Sequence, residues 1–385
     1  MSENFTETSH VSWGSRIKDS IKGILFGIVL IIAAVVLLFW NEGRTVKQTK
    51  ALKEGASVVV TVPIEQVSAE NEGKLVHLTG KAETSDVLMD DIFRVSENAI
   101  RLSRIVEMYQ WKENQKTEEK KNVGGSVDKT TTYTYEKGWA DYPISSGNFK
   151  QQEGHQNPSA FPFEGATKYS KNVNVGAFKL NETLIAKISG SENADISKID
   201  TSKFTGSKIS GNILYIGKGN SASPVIGDVK VAFNVVRPKD VSIVAKQIQN
   251  TFEPYITSNG KSIILLSTGI VSSEAMFASA LRSNKLVGWF LRVLGIILIS
   301  AGFGMILKPL SVLADVVPFI GTIVGIGTGL ISGILALVIG LVTIAIAWIY
   351  YRPVLGISLL VAALVLIFYM VRLKKKKKAA VAATE

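Results

Sequence analysis

The sequence predicts a multi-pass membrane protein with four transmembrane α-helices in a 1 + 3 arrangement. A large β-rich extramembrane domain lies between the first and second spans. Three observations predict this. The 385 residues are 46% hydrophobic with a mean hydropathy of +0.24, and soluble domains rarely average above zero. The apolar residues gather in long runs near both ends. Between those runs, residues 41–285 show the alternating, turn-punctuated pattern of a folded soluble domain.

The first run, Gly23 to Trp40, carries no charge and is near the lower limit of the ~17–25 residues of a helical span. Arg16, Lys18 and Lys22 flank it. The alternative is a cleaved signal peptide. The run is longer than a usual signal core, however, and closes on Phe39-Trp40-Asn41-Glu42 without a small-residue cleavage site, so a retained anchor is expected. Leu286 to Leu307 is the second span and contains Arg292. An intramembrane arginine reads either as a charge serving binding or conduction, or as a side chain snorkelling to the headgroups. Its shallow position, about two helical turns from the end, favours snorkelling.

Phe319 to Tyr351 is too short for two spans and longer than a ~30 Å hydrocarbon core requires, which calls for tilt, a kink or an interfacial lead-in. Within it Gly321, Gly325, Gly329 and Gly333 recur every four residues. Glycines at this spacing share one helical face and admit another helix closely. The pattern leaves open whether that helix belongs to the same chain or to a second copy. Arg352-Pro353 turns the chain into the fourth span, Val354 to Val371. Lysine and arginine near span ends set orientation. By that rule the basic segments 1–22 and 372–385 face the cytoplasm and 41–285 lies outside it. Arg44, Lys47, Lys50 and Lys53 weigh the other way, but an even span count agrees with two basic termini on one side. Lys374, Lys375, Lys376, Lys377 and Lys378 are expected to contact anionic headgroups. They also account for much of the net charge of +11, so nucleic acid is not the expected partner.

In the domain, Asn41 to Gly55 holds good helix formers and is expected to continue the first span. Ser57 to Val62 and Lys74 to Glu83 read as strands. Arg101 to Glu113 and Thr130 to Trp139 read as the arms of a long hairpin rich in Tyr, Thr and Trp. The intervening charged segment with Gly124-Gly125 reads as a solvated, mobile loop. Gly227 to Val236, Val241 to Ile248 and Lys261 to Ile270 supply further strands. Ser272-Ser273-Glu274 opens an amphipathic helix carrying Met276, Phe277, Ala280 and Leu281, which leads into the second span.

The search for chemistry is short. The chain has no cysteine and only three histidines. His10, His77 and His155 are not spaced as a pair, so neither a thiolate site nor a histidine metal cluster is expected. Gly217-Lys218-Gly219 lacks nucleotide-binding spacing. Glu107 and Asp141 are expected to be ordinary strand charges rather than an acid–base pair. His155 beside Asn157-Pro158-Ser159 has no nucleophile elbow. No catalytic, cofactor or metal residue is assigned.

Several blocks together resemble the transmembrane protein 43 (LUMA) family. They are Asn41-Glu42-Gly43-Arg44 after the first span, Ala69-Glu70-Asn71-Glu72-Gly73-Lys74-Leu75-Val76-His77, and Val106-Glu107-Met108-Tyr109-Gln110-Trp111. Asn157-Pro158-Ser159-Ala160, Gly227-Asp228-Val229, Arg282-Ser283-Asn284 and Tyr351-Arg352-Pro353 follow in the same order. The resemblance runs over about residues 20 to 372 and includes the 1 + 3 spans. It implies a non-enzymatic, self-associating scaffold without cofactor that organises other membrane proteins. Animal members look like endoplasmic-reticulum and inner-nuclear-membrane proteins working with emerin and lamins. The absence of cysteine and the short tail point to a bacterial member in a plasma membrane, for which those partners do not transfer. The alternative is a subunit of an oligomeric channel or transporter.

Overall fold

The computed structural model describes residues 3–354, 356–358 and 361. The apolar run at 23–40 lies inside a longer helix, α1 (Trp13–Val58). The Ser12 hydroxyl accepts the Ser15 N–H at 3.3 Å and caps its start, satisfying one of the orphan donors of the first turn. The helix former-rich stretch after Asn41 carries it on, as expected from propensity. The short helix α2 (Glu182–Lys187) is capped by Asn181, whose side chain accepts the Leu184 N–H at 2.9 Å. Helix α3 (Ser273–Ala314) starts after Ser272, whose hydroxyl accepts the Ala275 N–H at 3.3 Å, so the anticipated serine cap is in place. Helix α4 (Pro318–Tyr351) begins on a proline, which needs no helical N–H partner there. The helices α1, α3 and α4 are each long and apolar enough to cross a membrane. The predicted fourth span, Val354 to Val371, falls largely outside the described residues, and Lys374 to Lys378 wholly outside them.

The chain divides into two compact units. The β-rich unit takes residues up to Ser9, Ala51–Glu119 and Lys129–Ala280. Its first sheet runs in the order Glu3–Val11, Val127–Ala140, Arg101–Lys121, Val229–Val236, Ile213–Ile216, Ser207–Ser210. The Val229–Val236 strand pairs antiparallel with the hairpin arm, Val231 opposite Val106 and Phe233 opposite Arg104. Inward residues alternate, and Leu102, Val106, Met108, Leu214, Val231 and Phe233 are all buried. At ~1.5–3 kcal/mol for each large side chain removed from water, this alternation is what fixes the register. The second sheet centres on Leu75–Glu83 paired antiparallel with Lys239–Ile248. Its core holds Val76, Leu78, Val241, Ile243 and Phe252, with Leu184 and Ile185 of α2 covering it.

Two segments fall outside the boundaries read from the sequence. The expected N-terminal segment 1–22 does not form one piece. Glu3–Val11 is a strand at the edge of the first sheet, and its residues up to Ser9 belong to the β-rich unit. Its Glu7 carboxylate meets Lys150 Nζ at 2.6 Å. The expected mobile loop of the hairpin is instead mostly strand: the arms run on to Lys121 and from Val127. The turn between them, with Gly124 and Gly125 at φ of +91° and +82°, requires a residue without a Cβ. Lys120–Asp128, counted from sequence with 41–285, belongs to the helical unit. Charge alone does not reveal this, because the partners that hold the turn are far away in sequence.

The helical unit comprises His10–Lys50, Lys120–Asp128 and the chain from Leu281 onward. Ala34 and Leu38 of α1, Ile299 of α3 and Ala336 of α4 meet at its centre, all fully buried.

Candidate functional site

In the helical unit, three sequence blocks far apart in the chain converge on one polar cluster. Asn41 and Glu42 of α1 are fully buried. The Glu42 carboxylate takes both branches of the Arg292 guanidinium, Nε at 2.5 Å and Nη2 at 2.9 Å. Its Oε2 also accepts the Trp348 indole N–H at 2.7 Å. The guanidinium lies over two indoles, 4.9 Å from the Trp289 ring and 5.8 Å from the Trp348 ring. Arg292 therefore does not snorkel. A charge amid apolar helices is tolerated when a fork-shaped partner matches it and the remaining lone pairs find donors. Glu42 meets both conditions.

Around it on α1, a hydrogen-bonded clasp joins α1 to α3. The Asn41 amide donates to the Gly288 carbonyl at 3.0 Å. Arg44 donates to Asn284 Oδ1 at 3.1 Å, and the Asn284 amide donates to the Thr45 carbonyl at 3.0 Å and to Thr49 Oγ1 at 3.1 Å. Gly43 completes the block: a Cβ there would stand 2.5 Å from the Tyr351 ring. Asn41-Glu42-Gly43-Arg44, Arg282-Ser283-Asn284 and Tyr351-Arg352-Pro353 thus meet around one seam. Beside it opens a pocket of about 380 Å³, with Lys285, Trp289, Arg292, Trp348 and Arg352 among its lining residues.

A second ion cluster lies where α3 turns into α4. Asp315 is 1% exposed and is held by Arg16 Nη2 at 2.5 Å and Lys121 Nζ at 2.6 Å. Arg16 also donates to the Gly125 carbonyl, the Trp13 indole to the Val312 carbonyl at 2.9 Å, and the Gly124 N–H to the Val316 carbonyl at 2.9 Å. One buried carboxylate thus gathers the start of α1, the hairpin turn and the α3–α4 corner.

The glycine series of α4 divides. Gly321 faces Asp315, with no room for a Cβ, and among the described residues Gly325 has the Ser311 hydroxyl near it. Among the described residues nothing approaches Gly329 or Gly333 within 4 Å of where a Cβ would stand. The residues of α4 buried within the chain include Gly321, Ser332, Ala336, Gly340, Thr343 and Ala347, which at ~3.6 residues per turn share the face of the glycine series. A further seam went unread in the sequence. Gly288, Gly295 and Gly302 of α3 recur every seven residues, and their missing side chains admit Thr45, Leu38 and Ile31 of α1. A seven-residue glycine spacing was the available signal.

In the β-rich unit the remaining blocks also converge. Asn157 acts as a surrogate strand: its side chain accepts the Trp111 N–H at 2.7 Å and donates to the Trp111 carbonyl at 2.9 Å. Trp111 packs edge-on against His155, with Lys137 Nζ 4.5 Å above its ring. Tyr109 packs on Trp139, and its backbone N–H donates to the Asp228 carbonyl at 2.8 Å. Burial pushes the Asp228 carboxyl up. The Tyr215 hydroxyl and the N–H groups of Val225, Lys218 and Gly219 outweigh it and hold the carboxyl below the usual range. Burial and Asp228 in turn push the Tyr215 phenol up. Glu107 stands opposite Lys230 in register, and Asp141 is exposed. His77 bonds the Val271 carbonyl at 3.0 Å, while in the helical unit His10 pairs with Asp128 at 2.7 Å. Among the described residues no group of three histidine or acidic side chains could hold a metal ion.

A family model for transmembrane protein 43 matches residues 108–353. Transmembrane protein 43 of Homo sapiens is 32% identical over 363 residues, covering 91% of this chain and 90% of the human one. The Rattus norvegicus protein is 33% identical over 374 residues, covering 94% and 93%. A transmembrane protein 43 homolog of Drosophila melanogaster is 31% identical over 350 residues, covering 88% and 91%. No solved structure matches the chain. Likeness of this extent, along nearly the full length of each relative, means that the chain belongs to the transmembrane protein 43 family.

Proposed function

We propose that this integral membrane protein is a non-enzymatic scaffold that associates with further copies of itself and organises other membrane proteins. The observation that carries the reading is the divided glycine series. No described residue comes within 4 Å of where a Cβ of Gly329 or Gly333 would stand, although the same helical face is buried further along α4, at Ala336, Gly340 and Ala347. Apolar side chains in lipid gain little by leaving it, so close approach of small residues is what favours a helix–helix contact there. The polar groups inside the helical unit support the same view, since Glu42, Arg292 and Asp315 are joined to one another or to neighbouring helices. As a subunit of a channel, the protein would need unpaired polar groups along a path. Arg292, which suggested one, is engaged by Glu42.

The test is the mass of the intact particle in mild detergent or nanodiscs, with a Gly329→Leu, Gly333→Leu variant beside it. A defined oligomer that the variant dissociates is the expected result. A monomer unaffected by the variant removes self-association through α4. Ion flux through vesicles holding the oligomer would replace the scaffold with the channel reading.

A further inference from the structure

The pocket beside the Glu42–Arg292 pair is walled by indoles and lined with cations. Three cationic side chains border it: Lys285, Arg292 and Arg352. Among the described residues the Lys285 and Arg352 side chains have no acidic partner and no hydrogen-bond acceptor. Arg292 gives Nε and Nη2 to Glu42, and its Nη1 has no acceptor among the described residues. Among the described residues Glu42 is the carboxylate in contact with these groups, and it is held by Arg292 and Trp348. The pocket therefore carries about two positive charges that no described residue balances.

Its position says what balances them. The apolar runs end at Trp40, start at Leu286 and end at Tyr351, so Lys285 and Arg352 stand at the level where hydrocarbon gives way to headgroups. Trp289 and Trp348 are the side chains that favour this level. A volume of about 380 Å³ lies within the ~300–1,000 Å³ of small-ligand pockets. Its walls are mainly apolar, as suits a ligand with a charged head and a greasy continuation. A guanidinium with a free N–H edge, next to a second guanidinium and an ammonium, is the donor set that recognises phosphate oxygens.

We propose that this pocket binds the phosphodiester headgroup of an anionic glycerophospholipid. The phosphate oxygens are held by Arg292 Nη1, Lys285 and Arg352, and the glycerol and upper acyl carbons lie against Trp289 and Trp348. The proposed site is built from residues other than Lys374 to Lys378. Glu42 serves as a positioning residue, fixing the Arg292 fork so that its third nitrogen stays available.

The experiment titrates the purified full-length protein in neutral detergent with phosphatidylglycerol, phosphatidylcholine or inorganic phosphate, and counts bound molecules by native mass spectrometry. The chain is compared with a Lys285→Gln, Arg352→Gln variant and with Arg292→Lys, which keeps a cation for Glu42 but removes the extra nitrogen. All three proteins retain the lysine tail, so its binding cancels. The expected result is one phosphatidylglycerol bound at least tenfold more tightly than phosphatidylcholine. That preference falls about tenfold in either variant, while the unfolding temperature of the Lys285→Gln, Arg352→Gln protein is unchanged. Equal binding of the two lipids, or a preference that survives in both variants, overturns the proposal. Inorganic phosphate that displaces phosphatidylglycerol at similar concentration also overturns it, since the site would then read free phosphate and not a lipid.

Discussion

At the scale of single residues, Glu42 and Arg292 show how a buried charge is made tolerable. Neither would lie 0% and 12% exposed among apolar helices alone. The bidentate pair, with the Trp348 indole as a further donor, satisfies the carboxylate on both oxygens. Removing one partner leaves the other uncompensated, which costs about 3–5 kcal/mol, whereas removing both charges together can be nearly neutral. Glu42→Gln is therefore expected to lower the thermal unfolding midpoint in detergent markedly. A Glu42→Gln, Arg292→Gln double variant should recover most of the loss. Unfolding followed by tryptophan fluorescence reads this directly, and a single variant as stable as the parent would show that the pair contributes nothing. Each residue was visible in the sequence, Arg292 as an oddity inside a span and Glu42 within a block resembling a family motif. Their partnership was not, because a separation of 250 residues leaves the relative register of two helices undetermined by any local pattern.

At the scale of elements, the parts with strong periodicity were legible and those set by pairing were not. The long hydrophobic runs, the serine cap before α3 and the alternation in Val229–Val236 all follow from local physics. The order of strands in either sheet does not, nor does the extension of the hairpin arms through their charged ends. Helix seams lie between these cases. The four-residue glycine series drew attention to α4, yet the glycines that admit α1 lie on α3. A Cβ at Gly302 would stand 2.8 Å from the Gly27 carbonyl oxygen, while one at Gly295 meets the Leu38 side chain. Backbone yields less readily than a side chain, so Gly302→Ala should destabilise more than Gly295→Ala, within the ~1–3 kcal/mol typical of overpacking. Gly329→Ala, with open space around it, should leave the unfolding midpoint of the monomeric protein level or slightly raised, since alanine is the better helix former by ~0.5–1 kcal/mol. A set of midpoints in any other order would reassign the seam.

At the scale of the whole molecule, the cluster around Asp315 bears on how the chain is threaded. Arg16, from the segment before the first apolar run, and Lys121, from the hairpin between the first two helices, share one buried carboxylate. The carboxylate holds both cations, so the hairpin turn and the start of α1 are expected on the same face of the membrane. Charge bias points to the cytoplasmic face, because Arg16, Lys18 and Lys22 are joined at this end by Lys120 and Lys121. The chain contains no cysteine, so single cysteines report sidedness without background. Val123→Cys, at the tip of the turn and 88% exposed, and Asp19→Cys, with a side chain 67% exposed, are expected to react with a membrane-impermeant maleimide from the same side. Both should be protected in intact cells and labelled after permeabilisation. If Val123→Cys reacts in intact cells while Asp19→Cys does not, the Asp315 junction is not formed in the membrane. The turn would then belong with the segment 41–285 on the outer face, as charge and span count alone suggest. If both react in intact cells, the junction stands and the orientation is inverted, which would make the basic residues beyond Trp40 the stronger topological signal.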